Sequence, residues 1–468
     1  MGAHGTTYVR REIWGLQPDD PIVTAYANAV KAMRERPEDD PTSWSYQAAI
    51  HGTYATPSHP RWNECQHGTW FFLPWHRMFL YHFEQIVRAA VIEAGGPADW
   101  ALPYWNYGLG GRNATLPFAF RQPKLADGND NPLYVAERKP GINSGSSLPG
   151  HATSPAGALA RPEFIGTAEF GGDRTAPAQF SKSGGELEET PHNVIHVLVG
   201  GRGLMGDIKK AAQDPIFWLH HANIDRLWTV WSALPRRSDP TETPWTNQSF
   251  EFFNAEGQPV SMRCDEVLAT LPGLGYTYDT TPPPTPLPAV PPGARAAALK
   301  PPERQLIGAS QESIELTGQP ASVPVPIDPQ AAEAPMAPNQ RAYLNVEDIE
   351  GEGNPGTVYG VYANLPPNAP ADLEAAHRIG NLSFFGIERA REPAGDEPAH
   401  GLSTSFDVTA LARELEAHNE WAGHALLVTF RPVTLTPPEV PDENDLVQSP
   451  ADEDRPITIG RVSVFYDA

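Results

Sequence analysis

Residues 1–272 carry apolar side chains at the three-to-four spacing of amphipathic helices. Residues 20–34 repeat this spacing behind Pro21, which suits the first turn of a helix. A second helix is predicted from Pro74 until Gly95 and Gly96 end it. The helical pattern resumes at residues 191–198 and 215–234. Between residues 106 and 185 the chain is rich in Gly, Pro, Asn and Ser, which predicts loops.

The pattern changes in the last third of the chain. Residues 281–335 contain 14 prolines in 55 positions, which argues against helix or central strand and predicts an extended surface linker. Beyond it, runs rich in β-branched and aromatic residues recur at hairpin-like intervals, at 342–346, 357–362, 380–387, 425–430 and 457–466. These short runs predict a β-sandwich.

The two patterns together predict an α+β protein in three segments. Residues 1–272 form a mainly α-helical domain, residues 273–338 a proline-rich linker, and residues 339–468 a C-terminal β-sandwich domain. A chain of 468 residues is long enough for two or three domains and a large core.

Composition limits the partners and the location of the protein. The net charge of −23 argues against nucleic acid and anionic membranes as partners, and 12 Trp, 14 Tyr and 18 Phe require a core. The two cysteines, Cys65 and Cys264, exclude a disulfide scaffold and a multi-cysteine zinc site. No apolar segment follows Arg10 and Arg11 and no run of 18 apolar residues occurs, so we expect a cytoplasmic protein or one exported by a carrier.

Two histidine pairs stand in the second helical region. His192 and His196 are four residues apart and share one helix face, so both imidazoles can reach one metal ion. His220 and His221 are adjacent and point about 100° apart, so one of them joins that pair. We take His221 as the ligand and His220 as a neighbour, although the spacing does not decide between them. Asp225 lies one turn from His221, where it is predicted to orient the ring.

A second set of histidines lies around the predicted helix at Pro74. His76 shares a face with apolar residues of that helix, whereas His82 is rotated off the face and is predicted to be structural. His67 comes from the preceding loop. His51 is the third member, and His59 competes with it from a turn-like sequence. Three neutral imidazoles without carboxylate or thiolate suit copper, zinc or ferrous iron and leave a position open for a small molecule.

These segments resemble the tyrosinase, catechol oxidase and hemocyanin family of binuclear copper proteins. The resemblance rests on motifs in the family's order and spacing: HG (51–52), CQH (65–67), LPWHRMFL (73–80), PHNVIH (191–196) and DPIFWLHHANIDRLW (214–228). It implies an antiparallel four-helix bundle with two copper ions and O2 as co-substrate. By resemblance, copper A is bound by His51, His67 and His76, and copper B by His192, His196 and His221.

The resemblance also assigns roles around the ligands. Cys65 stands where relatives link a cysteine to a histidine, here His67, through a thioether. An unlinked thiol is the alternative, and a disulfide to Cys264 is a further option that a reducing cytoplasm disfavours. Glu188 and Asn193 correspond to the glutamate and asparagine that hold and polarise a water able to deprotonate a monophenol. Glu186 and Glu189 compete with Glu188 for that role. Ile208 replaces a phenylalanine gate above copper B, which predicts a wider substrate entrance.

The resemblance implies a phenol-oxidising enzyme. The leading expectation is a tyrosinase that hydroxylates monophenols to o-diphenols and oxidises these to o-quinones. The alternatives are a catechol oxidase or o-aminophenol oxidase without monophenol activity and, in another class, a hemocyanin-like oxygen carrier. In relatives the C-terminal domain shields the copper site, and Leu365 is a candidate plug here. Candidate partners are small phenols, a copper chaperone and a second copy of the chain, the last two undecided by the sequence.

Overall fold

The computed structural model describes residues 7–56, 58–178, 184–280, 304–330, 335–366, 369–390, 401–438 and 455–467. The chain divides into two compact units. One unit comprises residues 1–285 with 434–448, and the other comprises residues 286–433 with 449–468. Among the described residues, no helix has both the length and the apolar character needed to cross a membrane.

The first unit is mainly helical. Its α-helices are α1 (Pro21–Arg34), α2 (Trp44–His51), α3 (Phe72–Glu93), α4 (Gly150–Thr153), α5 (Ala156–Ala160), α6 (Val194–Gly200), α7 (Ile216–Ser232) and α8 (Thr243–Thr246). Helix α3 packs against α1 on one side and α7 on another. Short strands accompany them: β1 (Tyr8–Arg10) pairs in parallel with β4 (Tyr276–Tyr278), and β2 (Ser249–Phe253) forms a hairpin with β3 (Pro259–Arg263).

The predicted helices are confirmed with small shifts at their ends. The Asp20 carboxylate caps α1 by accepting a hydrogen bond from the N–H of Ile22, and Pro21 occupies the first helical position. Helix α3 begins at Phe72, two residues before Pro74, and is buried around most of its circumference. The predicted loop at 106–185 also contains the short helices α4 and α5.

The second unit contains two antiparallel sheets. Its strands are β5 (Arg304–Ala309), β6 (Ile314–Leu316), β7 (Ala321–Pro326), β8 (Arg341–Glu350), β9 (Tyr359–Ala363), β10 (Arg378–Leu382), β11 (Leu402–Asp407), β12 (Ala425–Pro432) and β13 (Ile457–Asp467). One sheet has the order β10-β9-β12-β7, and the other has the order β11-β8-β13-β5, with β6 also paired to β13. Helix α9 (Ala371–His377) lies between β9 and β10 of the same sheet, whereas α10 (Ile387–Ala390) and α11 (Thr409–Ala417) lie between strands of different sheets.

The prediction of a linker through residue 338 is wrong for its described C-terminal part. Strands β5, β6 and β7 all lie between residues 304 and 326. Strand β7 alternates buried Val323 and Val325 with exposed Pro324 and Pro326, and it lies at the edge of its sheet. An edge strand tolerates proline because one of its sides needs no N–H donor. Residues 281–303 lie outside the described residues.

Candidate metal centre

Seven buried histidines meet inside the helical unit, each at most 3% exposed: His51, His67, His76, His192, His196, His220 and His221. His51 is the last residue of α2, His76 lies in the first turn of α3, and His67 belongs to the loop before α3. His192 lies in a turn at Glu188–Asn193 that leads into α6, which carries His196. The remaining two lie on α7.

The predicted copper A histidines are each held at Nδ1. The Nδ1–H of His51 donates to the carbonyl of Ile208 at 3.0 Å, and that of His76 donates to the carbonyl of Phe72 at 2.8 Å. His67 donates from Nδ1 to Oε1 of Glu188 at 3.0 Å. These partners accept the Nδ1 proton, so Nε2 of each ring carries a lone pair.

The lone pairs of this set point at one another. Nε2 of His51 lies 3.2 Å from Nε2 of His67, and Nε2 of His76 has no hydrogen-bond partner among the described residues. Two acceptors facing each other in a buried site are unfavourable unless a cation lies between them. The donor set therefore fits a metal ion that prefers imidazole, as copper does.

The predicted copper B histidines converge in the same way. His196 donates from Nδ1 to the carbonyl of Met205 at 2.8 Å, and its Nε2 lies 3.3 Å from Nε2 of His221. His192 donates from Nδ1 to Oδ1 of Asn193 at 2.9 Å. Ligand atoms of His192, His196, His220 and His221 all lie within 4.8 Å of one another. This second group also has the donors for a metal ion.

The two groups are neighbours. The rings of His76 and His221 stack with centroids 4.5 Å apart and an interplanar angle of 14°. His67 and His192 stack at 5.5 Å. Ligand atoms of His51, His76 and His221 also lie within 4.8 Å of one another. The arrangement therefore suits two metal ions close enough to share one small ligand.

Burial keeps these rings neutral. It lowers the pKa values of His76, His192, His196 and His221 well below the usual value, with smaller contributions from neighbouring imidazoles. Burial also lowers the pKa of His220 to about 3. Since neutral imidazole is the form that binds metals, the site is set for binding at neutral pH.

Among the three candidate glutamates, Glu188 is the one in contact with a predicted ligand. Besides His67, its Oε1 accepts a hydrogen bond from the N–H of Gly68 at 2.8 Å. Its Oε2 is buried without a partner among the described residues. Burial, together with the charge of Glu189, raises the pKa of Glu188 well above the usual value.

The other candidates and Asn193 make different contacts. The Nδ2 of Asn193 donates to Oε2 of Glu189 at 3.5 Å, and burial raises the pKa of Glu189 to about 7. Glu186 pairs with Arg161. Glu188 has no hydrogen bond to Asn193 in the described part of the chain. Glu188 therefore contacts His67 of the predicted copper A set, whereas Asn193 contacts His192 of the predicted copper B set.

The cysteine and the entrance residue lie beside the copper A set. Cys65 is buried, and its Sγ lies within 4.8 Å of ligand atoms of His51 and His67. It is not joined to Cys264 in a disulfide, and the thioether to His67 stays a prediction. Ile208 is buried and its carbonyl holds His51. Its role at a substrate entrance also stays a prediction.

The prediction that Asp225 orients His221 is wrong. Its carboxylate accepts hydrogen bonds from Arg10 and Arg77 and from the hydroxyls of Tyr276 and Tyr278. Burial works to raise the pKa of Asp225, but the two guanidinium groups hold it below the usual value. Nδ1 of His221 has no hydrogen-bond partner among the described residues. Asp225 thus joins β1, α3, α7 and β4 instead of serving the metal site.

Two other histidines singled out in the sequence, His59 and His82, lie outside the groups of ligand atoms found in the described residues. His59 packs against Trp62, with ring centroids 4.6 Å apart, and belongs to no group of ligand atoms found in the described residues. His82 is buried, with Nε2 3.1 Å from Sδ of Met262. The sequence offered no signal for Tyr107, whose hydroxyl is hydrogen-bonded to Nδ1 of His220 at 3.1 Å, because it comes from a turn far from either motif.

Comparison with known proteins agrees with this site. Residues 41–170 and 167–234 match the common central domain of tyrosinase, and residues 239–286 match the polyphenol oxidase middle domain. Residues 303–467 match a domain of unknown function. A tyrosinase from Hahella sp. (strain CCB-MM4) is 33% identical, and the alignment covers 98% of this chain and 99% of that protein. The chain belongs to the tyrosinase and polyphenol oxidase family.

More distant relatives and solved structures also match this chain. The latent form of a chloroplastic polyphenol oxidase from Prunus armeniaca is 27% identical over 89% of this chain and 71% of that protein. The structure of latent apple tyrosinase superposes with a TM-score of 0.64 at 21% identity, covering 100% of this chain and 98% of that chain. The structure of a latent aurone synthase gives a TM-score of 0.64 at 22% identity, covering 100% of this chain and 90% of that chain. Family membership implies a binuclear copper centre, and both histidine groups fit it.

Proposed function

We propose that the protein is a tyrosinase that uses O2 to hydroxylate monophenols and to oxidise the resulting o-diphenols to o-quinones. The observation that carries the proposal is the convergence of six buried imidazoles in two adjacent sets, with Nε2 of His51 and His67 3.2 Å apart and Nε2 of His196 and His221 3.3 Å apart. Five of the six lie on α2, α3, α6 and α7 or in the turn that opens α6. In our proposal these helices form the antiparallel four-helix bundle of the family.

Copper supplies the redox chemistry that couples phenol oxidation to the reduction of O2. The residues of this chain bind the metal and orient the imidazole rings. Backbone carbonyls and Glu188 hold the Nδ1 protons, and Phe72 packs edge-on against the ring of His192 at 4.7 Å. The phenolic proton is then taken up at Oε2 of Glu188, directly or through a water. That oxygen is buried and has no partner in the described part of the chain.

An enzyme restricted to o-diphenols or o-aminophenols is the alternative. The amide of Asn193 donates to Glu189 at 3.5 Å, and Glu188 makes no hydrogen bond to that amide within the described residues. If no water joins Oε2 of Glu188 to the Asn193 amide, we expect oxidation of o-diphenols or o-aminophenols without hydroxylation of monophenols.

Oxygen uptake by the copper-loaded full chain separates these functions. Parallel reactions receive tyramine, dopamine and 2-aminophenol. Uptake with tyramine and dopamine is the expected result for a tyrosinase. Uptake with dopamine or 2-aminophenol but not with tyramine supports the catechol oxidase or o-aminophenol oxidase alternative. Reversible oxygen binding without consumption of any phenol makes the protein a carrier and overturns the proposal.

The proposal includes latency of the enzyme through the C-terminal residues 339–468. It is supported by the latent form from Prunus armeniaca, which aligns over 89% of this chain. Leu365, which is buried, is the candidate plug. Limited proteolysis within residues 281–303 is expected to raise the rate of dopamine oxidation, and Leu365→Ala is expected to do so without cleavage. Equal rates before and after cleavage would show that the domain does not restrain the enzyme.

A further inference from the structure

Six of the seven clustered histidines form a hydrogen bond at Nδ1, which orients the ring. The partners are carbonyl oxygens for His51, His76 and His196, the side chains of Glu188 and Asn193 for His67 and His192, and the Tyr107 hydroxyl for His220. His221 is the exception, because its Nδ1 has no partner among the described residues. Its ring is positioned by packing instead, with centroids 4.5 Å from His76 and 4.2 Å from Phe217.

His220 has the features of a metal ligand. It is fully buried, and its Nε2 has no partner among the described residues. Its ring stacks on His192 at 5.3 Å and meets His196 edge-on at 4.9 Å. Its ligand atom lies within 4.8 Å of those of His192, His196 and His221. The Tyr107 hydroxyl can accept the Nδ1 proton of His220, which leaves Nε2 with a lone pair.

We infer that His220, positioned by Tyr107, is an alternative third ligand of copper B. Copper B can then be bound by His192 and His196 together with either of the two adjacent histidines on α7. His220, whose Nδ1 is hydrogen-bonded to Tyr107, then keeps copper B bound when His221 is replaced. This inference rests on the proposed function only in taking copper as the metal.

Copper content tests the inference independently of turnover. The full chain is prepared as wild type, His220→Ala, His221→Ala and the double variant, loaded with copper, dialysed and assayed for metal by atomic absorption. We expect His221→Ala to retain about two copper ions per chain and the double variant about one. Competition with a chelator should show a loss of copper B affinity of less than about tenfold in His221→Ala and more than about 100-fold in the double variant.

Tyr107 is tested in the same background. Tyr107→Phe combined with His221→Ala keeps the ring and removes the hydroxyl that holds His220, so copper B affinity should fall towards that of the double variant. The matched control is Tyr104→Phe combined with His221→Ala. Tyr104 is another buried tyrosine of this segment, and its hydroxyl contacts Asp279 and Thr280 instead of a histidine. The control should bind copper as His221→Ala does.

The outcomes separate the two proposals. If His221→Ala binds only about one copper ion, as the double variant does, His220 is not a ligand and the inference is overturned. The copper ion that remains at copper A in the double variant shows that the chain has folded. If copper content follows the expected pattern but no phenol is oxidised, the ligand assignment stands and the proposed function fails.

Discussion

Oε1 of Glu188 lies 3.0 Å from Nδ1 of His67, so a carboxylate from the turn before α6 orients a histidine from the loop before α3. The same oxygen accepts the N–H of Gly68, which fixes the loop as well as the ring. Carboxylates behind metal-bound imidazoles determine ring orientation and basicity. Glu188 therefore links the predicted copper B segment to the predicted copper A set, and its Oε2 is buried without a partner among the described residues.

Glu188 is expected to matter more for monophenols than for diphenols. Glu188→Gln retains an oxygen that can accept from His67 but loses the base, so the rate of tyramine oxidation should fall by about 100-fold or more, with a change of only a few-fold for dopamine. Glu186→Gln is the matched control, because it removes a neighbouring carboxylate that pairs with Arg161. Oxygen uptake with both substrates gives the comparison. Equal losses for tyramine and dopamine would contradict a role in deprotonation.

The histidine clusters could be predicted from the sequence because their information is local. Spacing of three or four on a helix determines which side chains share a face, as for His192 and His196, and the resemblance supplied the partners from other helices. The supporting contacts carry no such signal. The carbonyls of Ile208 and Met205 hold His51 and His196 through the main chain, so no residue type reveals them.

The two wrong predictions, for Asp225 and for the linker, have a different cause. In both cases contacts with segments distant in the sequence decide the outcome. Asp225 does lie one turn after His221, but guanidinium and phenol groups from β1, α3 and β4 take up its carboxylate. Similarly, Pro324 and Pro326 exclude a central strand but not an edge strand, and position in a sheet is set by pairing with the remote β12.

Asp225 should be important for stability. Replacing it with Asn removes the carboxylate paired with the buried guanidinium of Arg77 and one of the two paired with Arg10, which also contacts Glu84. Leaving a buried partner uncompensated typically costs about 3–5 kcal/mol of the free energy of unfolding, which urea titration can measure. Asp130→Asn breaks the exposed pair with Lys124 and should leave the unfolding curve unchanged. A similar curve for both variants would contradict the role assigned to Asp225.

Gly52 should be required for copper A. A Cβ at this position would lie 2.7 Å from both the carbonyl oxygen of Ile208 and Cα of Lys209. Gly52→Ala therefore pushes away the carbonyl that holds His51, and copper A affinity should fall by about 10–100-fold. Chelator competition measures the loss. Gly150→Ala is the control, since a Cβ there has no neighbour within 4 Å among the described residues. Unchanged copper binding in Gly52→Ala would refute the importance of this carbonyl.

His82 should make the fold sensitive to acid independently of the copper histidines. Burial lowers its pKa from the usual 6.5 to about 4. Between these values the unfolded chain binds a proton that the folded chain does not, so the free energy of unfolding decreases as the pH falls through this window. Above pH 6.5 His82 does not lower the free energy of unfolding, and by pH 4 it has lowered it by about 3 kcal/mol.

His82→Phe removes the titrating group and keeps an aromatic ring against Phe252, on which His82 stacks at 5.6 Å. Urea titration gives the free energy of unfolding of wild type and variant at pH 7, 6, 5 and 4. As the pH falls, the free energy of unfolding of the wild type should decrease more than that of the variant. His418→Gln, at an exposed position on the C-terminal side of α11, is the control and should show no such change. Because the copper histidines are present in all three proteins, their titration cancels from the differences. A difference between wild type and His82→Phe that is constant from pH 7 to pH 4 would show that His82 is not the acid-sensitive group.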